Sequence, residues 1–289
     1  MRGRWPWLLL LLIVISLLAV LLIRDVAEGE PRLLPGLDAD TVSTVLIQRP
    51  NTETVRLQQR DGYWWLEAPS EVSANDFHIR QLVAVARARP EADYPLADVE
   101  PERLGLDPPR VRLQLDDQVV LFGETDAVDG LRYVQVDDRV LLIADRIMPL
   151  LEGAWWNLID RRLLPPGREL KAVETPHYRL SRGEDRAWRS DAEPAVAASA
   201  ADLGADWRNV SALVVREVRR RSADQVDVRL RFDDGSERQL RETSEDGERR
   251  LVDDERGLAY VFDGGTLDYL LRGDPGSMQD PGDAPSPGD

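Results

Sequence analysis

One pattern of strands and turns is written twice in this sequence, and that recurrence restricts the chain to folds made of two like units. Val55-Arg56-Leu57 and Trp65 recur as Tyr178-Arg179-Leu180 and Trp188, both 123 residues further on. Val111-Arg112-Leu113-Gln114-Leu115-Asp116-Asp117 recurs after 117 residues as Val228-Arg229-Leu230-Arg231-Phe232-Asp233-Asp234. Val136-Asp137-Asp138 is answered by Val252-Asp253-Asp254, and Leu150-Leu151-Glu152-Gly153 by Leu270-Leu271-Arg272-Gly273. Matches in one order at nearly one offset read as tandem duplication. A unit of about 115 to 120 residues is too long for a solenoid repeat and has the size of a domain.

The local signals inside each copy are those of an antiparallel sheet with a packed helix, so the fold class expected is α+β. Val42 to Gln48 is β-branched and apolar, Val55 to Gln58 alternates, and Asp61-Gly62 is a two-residue hairpin signal ahead of Tyr63-Trp64-Trp65-Leu66. Ser73, Asn75 or Asp76 then caps a helix whose apolar face is Ile79, Leu82, Val83 and Ala86. Alternating strands return at Val111 to Leu115, Val119 to Phe122, Leu131 to Val136 and Val140 to Ile143. Their turns fall at Asp116-Asp117, Asp126 to Gly130 and Asp137-Asp138. A short helical segment from Met148 to Leu151 stops at Gly153. In the second copy the helix is expected around Asp202 to Val214, with Trp207, Val210, Leu213 and Val214 on one stripe. Residues 41–155 and 168–273 are therefore expected to be the two units, with 156–167 connecting them.

Ahead of the units, Trp5 to Ile23 runs nineteen residues without a charge and with Ser16 as its one polar side chain. At about 1.5 Å per residue it reaches about 28 Å, which matches the hydrocarbon core of a bilayer, so a single membrane-spanning helix is expected. Arg2 and Arg4 precede it, which keeps the N-terminus cytoplasmic and exports the body. Trp5 and Trp7 suit the headgroup level. Residues 24–40 carry Gly29, Pro31, Pro35 and Gly36 and read as a linker, whereas 274–289, rich in Pro, Gly and Asp, read as a disordered tail. The chain has no cysteine, which rules out both disulfides and a lipid-modified cysteine.

The Trp strand, the capped helix, Leu104-Gly105-Leu106-Asp107-Pro108-Pro109 with the Val-Arg-Leu-x-Leu strand after it, and Asn157-Leu158-Ile159-Asp160-Arg161-Arg162-Leu163-Leu164 together resemble domain-of-unknown-function family 4340. The resemblance implies a bacterial protein held in the inner membrane by one N-terminal helix, with its body in the periplasm. It further implies an accessory role in a gliding-type ABC transport system, with the transporter's permease or ATPase subunits as partners. No catalytic residues come with the resemblance. The second unit lacks the Gly-Leu-Asp-x-Pro element.

The residues themselves point away from catalysis. A net charge of −16 disfavours nucleic acid as a partner, because phosphate binding needs clustered positive charge. Two histidines, His78 and His177, and no cysteine leave no soft-ligand metal site or thiol nucleophile, and no Gly-x-Ser-x-Gly elbow occurs. The Asp-Asp pairs at 116/117, 137/138, 233/234 and 253/254 invite a cation, but each falls where a turn alone would favour Asp. No catalytic residue, cofactor or metal ligand is therefore assigned. Trp65 and Trp188 are expected to hold equivalent places in the core, which leaves Trp64 as the outward ring of its pair and the expected glycan platform. Arg216, Arg219, Arg220 and Arg221 form a basic patch. The binding surface expected is Trp64, Arg219, Arg220 and Arg221. The functional expectation is a non-enzymatic scaffold or docking protein, with an envelope glycan-binding module as the alternative.

Overall fold

The computed structural model describes residues 32–191, 194–218, 227–245 and 247–273. The expected membrane helix, residues 24–31 of the linker and the tail lie outside the described residues. Among those described, no helix is long and apolar enough to cross a membrane. The described chain is α+β, with two antiparallel sheets and few helices. It divides into two compact bodies, one of residues 32–42 with 83–146 and one of residues 43–82 with 147–273.

The second body opens with a meander of β1 (Thr44–Gln48), β2 (Val55–Arg60), β3 (Tyr63–Ala68) and β4 (Val72–Ser73), in spatial order β4-β3-β2-β1. The β2–β3 turn places Asp61 at φ +52° and Gly62 at φ +81°, the pair of left-handed residues that a tight hairpin with the right twist requires. Strand alternation then buries Val45, Ile47, Val55, Leu57, Trp64 and Leu66. Helix α1 (Asp76–Val83) follows, capped as the sequence suggests: Asn75 Oδ1 accepts the backbone N–H groups of Phe77 at 3.1 Å and His78 at 3.2 Å. A 3-10 turn, Ala84–Arg87, extends it, and Ile79, Leu82 and Ala86 are wholly buried.

The first body holds β5 (Ala92–Pro95), β6 (Val111–Leu115), β7 (Gln118–Thr125), β8 (Arg132–Val136) and β9 (Arg139–Ile143), in order β6-β7-β8-β9-β5. Asp116 and Asp137 sit in the hairpin turns at φ +51° and +50°, so they serve the geometry expected of them. Leu33 and Leu34, within the stretch read as linker, are each 2% exposed, and their amides donate to the carbonyls of Ala88 and Ala86. The Gly105 element also does what its composition suggests. Gly105 closes the 3-10 turn Pro101–Leu104 at φ +67°, where a Cβ would stand 2.8 Å from Glu124 Cγ, and Leu106 is buried just beyond it. Gly123 lies so close beneath this turn that a Cβ there would meet the Leu104 carbonyl oxygen at 2.2 Å.

After the short helix α2 (Met148–Glu152), the second body continues through β10 (Leu170–Glu174), β11 (Arg179–Arg182) and β12 (Trp188–Ser190), then α3 (Pro194–Ala198), α4 (Ala200–Asn209) and β13 (Val214–Glu217). It ends with β14 (Val228–Phe232), β15 (Glu237–Glu245), β16 (Glu248–Asp253), β17 (Leu258–Phe262) and α5 (Gly264–Arg272). Their order is β12-β11-β10-β14-β15-β16-β17-β13. One connection scheme thus occurs twice. Three strands form a meander, a helix follows, and the strand after the helix pairs with the last strand of a second meander: β5 on β9, β13 on β17.

Two local expectations are corrected. The helix of the second copy stops at Asn209, not Val214; Leu213 is 61% exposed and Val214 begins β13, paired with Val261. Adjacent β-branched Val214 and Val215 fit a pleated edge better than a helical face, where their χ1 freedom is lost. Trp207 does lie on the buried face of α4, with no exposure. The stretch from Pro90 through Pro109, irregular in its sequence signals, contains β5. Its Pro90, Pro95 and exposed Asp93 and Tyr94 hide an edge strand, which needs only one row of hydrogen bonds.

Candidate functional site

The second body brings its buried Arg238–Asp253 pair and its open space together at one place. Along β15 the residues alternate, so Arg238 points inward with Leu240. Arg238 is 6% exposed, and every arm of its guanidinium is engaged. Nε donates to Asp253 Oδ2 at 2.8 Å, Nη2 to the Tyr260 hydroxyl at 2.8 Å, and Nη1 to the Leu163 carbonyl. Asp253 has no exposure and also accepts from Arg256, through the backbone N–H at 3.1 Å and Nη1 at 3.1 Å. Burial opposes the charge on Arg238, but Tyr260 and Asp253 outweigh it, and the guanidinium is held above its already high pKa. Arg256 carries the network outward: its Nε donates to the Glu71 carbonyl and its own carbonyl accepts from Ser70 Oγ at 3.0 Å. The buried pair therefore ties β15, β16 and β17 to the loop between β3 and β4.

Two adjoining clefts, each about 270 Å³, open above this network. Trp65 and Arg168 line both. The first cleft also has Ser73, Ser236, Arg238 and Arg256 in its wall, the second Tyr63, Gly167, Asp233 and Asp234. Tyr63 and Trp65 share one face of β3, opposite the buried face of Trp64 and Leu66. Tyr63 is 42% exposed, and its ring rests on Gly167, where a Cβ would approach it to 3.3 Å. Gly167 is at φ +76°, so glycine is demanded there twice over. The cations on the rim are paired: Arg168 with Asp234, and Arg60 with Glu67 and with Glu71, the latter at 2.9 Å.

The expected binding residues fare differently. Trp64 is corrected: it is 6% exposed and belongs to the core, while Trp65 is the half-buried ring that faces the clefts. The deciding signal is Leu66, wholly buried two positions on, which fixes the inward phase of β3. The expected equivalence of Trp65 and Trp188 is corrected as well: Trp188 pairs with Arg182 as Trp64 pairs with Gln59, so it holds the place of Trp64, while Arg189 holds that of Trp65. Arg219, Arg220 and Arg221 lie outside the described residues. Their neighbour Arg216 pairs with Glu248 at 2.7 Å. His78 Nδ1 donates to the Asn157 carbonyl at 2.9 Å, and the His177 amide donates to Thr175 Oγ1 at 3.2 Å.

The Asp-Asp pairs do not share one role. Asp233 Oδ1 accepts the Glu169 amide, Asp234 accepts both the amide and the hydroxyl of Ser236, and Asp254 pairs with Arg241 at 2.9 Å. Among the described residues no three His, Cys, Asp or Glu are grouped to hold a metal ion. Sequence reasoning missed the Arg238–Asp253 pair, because Asp253 sits in an Asp-Asp string that elsewhere forms turns. The inward phase that Leu240 gives to Arg238 was the available clue.

The fold and this site define a class: an α+β protein with a charge-locked second body and an open aromatic cleft. Comparison with family models, with curated proteins and with solved structures finds no match.

Proposed function

We propose that this chain is a non-enzymatic scaffold or docking protein. It is anchored by Trp5–Ile23 in the inner membrane of a bacterium, with two duplicated α+β units exported to the periplasm. Following its resemblance to domain-of-unknown-function family 4340, it serves as an accessory part of an ABC-type transport assembly and contacts the permease or ATPase subunits. The observation that carries a recognition role is the division of labour in the second body. Arg238 and Asp253 are committed to each other, to Tyr260 and to Arg256, whereas the surface above them is an open cleft lined by the half-exposed rings of Tyr63 and Trp65. The recurring strand order supports the duplication.

The test is a mild-detergent pull-down of the full-length protein from its native membrane, followed by mass spectrometry. Enrichment of transporter permease or ATPase chains supports the reading, and a solitary monomer sinks it. The second reading, an envelope glycan-binding module, is favoured by the pairing of Tyr63 and Trp65 on one strand face. It is tested by retention of the full-length protein on insoluble cell-wall polysaccharide.

A further inference from the structure

Resting on the glycan-binding reading, we infer that the clefts beside Tyr63 and Trp65 bind an uncharged, β-linked pyranose oligosaccharide. Two rings two positions apart on β3 have Cα atoms about 7 Å apart and project from one face. That is an extended pair of rings, with the Gly167 backbone close against Tyr63, where a Cβ would approach the ring to 3.3 Å. The axial C–H bonds of a β-pyranose present an apolar face with partial positive charge, which suits the negative face of an aromatic ring.

The internal repeat builds this platform once. In the first copy Trp65 stands opposite Gln58 and lines open space, whereas the same ladder place in the second copy, opposite Ser181, is taken by Arg189. Trp188 instead holds the place of the inward-facing Trp64 and lies against Gly204 of α4, where a Cβ would fall 2.5 Å from the indole.

The polar rim selects against charge. Arg168 is paired with Asp234 and Arg60 with Glu71, so an ionised ligand would have to break a pair to gain one. The chain's net charge of −16 further disfavours an anion. A paired guanidinium still has unused N–H donors, and a paired carboxylate unused lone pairs. Side by side, they can donate to and accept from neighbouring hydroxyls of one sugar, which a neutral polyol alone exploits without a charge penalty.

The test is isothermal titration of the full-length protein in detergent with cellotetraose, with the N-acetylglucosamine tetramer, and with a decaproline peptide as the competing chemistry. Saturable binding of either tetrasaccharide is expected, weakened about tenfold by Trp65→Ala, the upper range for one aromatic contact. Trp65→Phe should retain most of the affinity, and the thermal transition of both variants should match that of the parent chain. No binding of either sugar, equal binding to Trp65→Ala, or binding of decaproline in place of the sugars would each overturn the inference. Retention on insoluble polysaccharide that survives Trp65→Ala would leave the glycan reading standing and remove this site from it; loss of retention in every form of the protein would end both.

Discussion

Replacing Asp253 by Asn tests whether the buried charge network has the role assigned to it. Asp253 has no solvent exposure and accepts from Arg238 Nε, Arg256 Nη1 and the Arg256 amide. Asn keeps one acceptor oxygen but removes the countercharge, and turns an N–H₂ donor toward guanidinium donors. Arg238, 6% exposed, then stays charged without compensation. Breaking one partner of a buried pair costs about 3–5 kcal/mol. With a urea m-value of about 3 kcal/mol/M, that moves the unfolding midpoint down by about 1–1.7 M. The paired change Arg238→Met with Asp253→Leu removes both charges at once and should recover most of the loss, because apolar replacements of a buried pair are often neutral or stabilising. Urea titration followed by tryptophan fluorescence reads all three proteins. A loss under about 1 kcal/mol in Asp253→Asn, or a double variant no more stable than the single one, would refute the argument.

Three further outcomes follow from the geometry. Gly123→Ala should destabilise more than Gly105→Ala in thermal unfolding, each by more than about 1 kcal/mol: the new methyl meets a fixed carbonyl oxygen at 2.2 Å in the first case and the movable Glu124 side chain at 2.8 Å in the second, where φ is +67°. Asp263 caps α5 by accepting the Thr266 amide at 2.8 Å, and the bonds from Thr266 hold its carboxyl below the usual range. Its contribution is complete above the unfolded value of about 3.9 and fades as pH falls through the lower folded value, so Asp263→Ala should cost about 1 kcal/mol at neutral pH and nothing in strong acid. Burial, reinforced by Asp206, pushes Tyr269 up to about 12, and its hydroxyl donates to Asp206 at 3.0 Å. The neutral phenol stabilises the fold fully below about pH 10, and this is lost as pH rises toward 12, so Tyr269→Phe should flatten the alkaline limb of the stability profile.

What could be seen in the sequence was whatever depends on near neighbours. Asp61-Gly62, the Asn75 cap, the turns at Asp116 and Asp137 and the stop at Gly153 each need only a few consecutive residues, and each is found in its place. The α+β class follows from the same signals. Edge strands escaped because β5 and β13 bury little and pair on one side, so neither hydrophobic alternation nor length marks them. The site escaped for a different reason. The Arg238–Asp253 contact joins residues fifteen apart across a hairpin, and its outer ties reach Leu163 and Glu71, which no local pattern connects. Trp64 and Trp65 were reversed because Trp188 was matched to Trp65 by sequence offset, whereas the ladders set Trp188 at the place of Trp64, and Leu66 had already set the phase.

That reversal bears on how the proposed duplication should be used. Val120 lies opposite Leu113, and Arg238 lies opposite Leu230, so the two occupy one register position in their ladders. Val120 is a wholly buried aliphatic residue; Arg238 is a buried cation. Asp253, the countercharge, corresponds in sequence to Asp137, which sits at φ +50° in a hairpin turn. Backbone pairing and turn placement persist between copies because every hydrogen bond in a ladder depends on the register. Side-chain roles are free to part once each copy has its own surroundings. Trp65, beside an open cleft, and Arg189, which holds the same ladder place in the second copy, part in the same way. Function in such a chain is then to be sought where the copies disagree, and the departures at Trp65, Arg238 and Asp253 converge on one region of the second body.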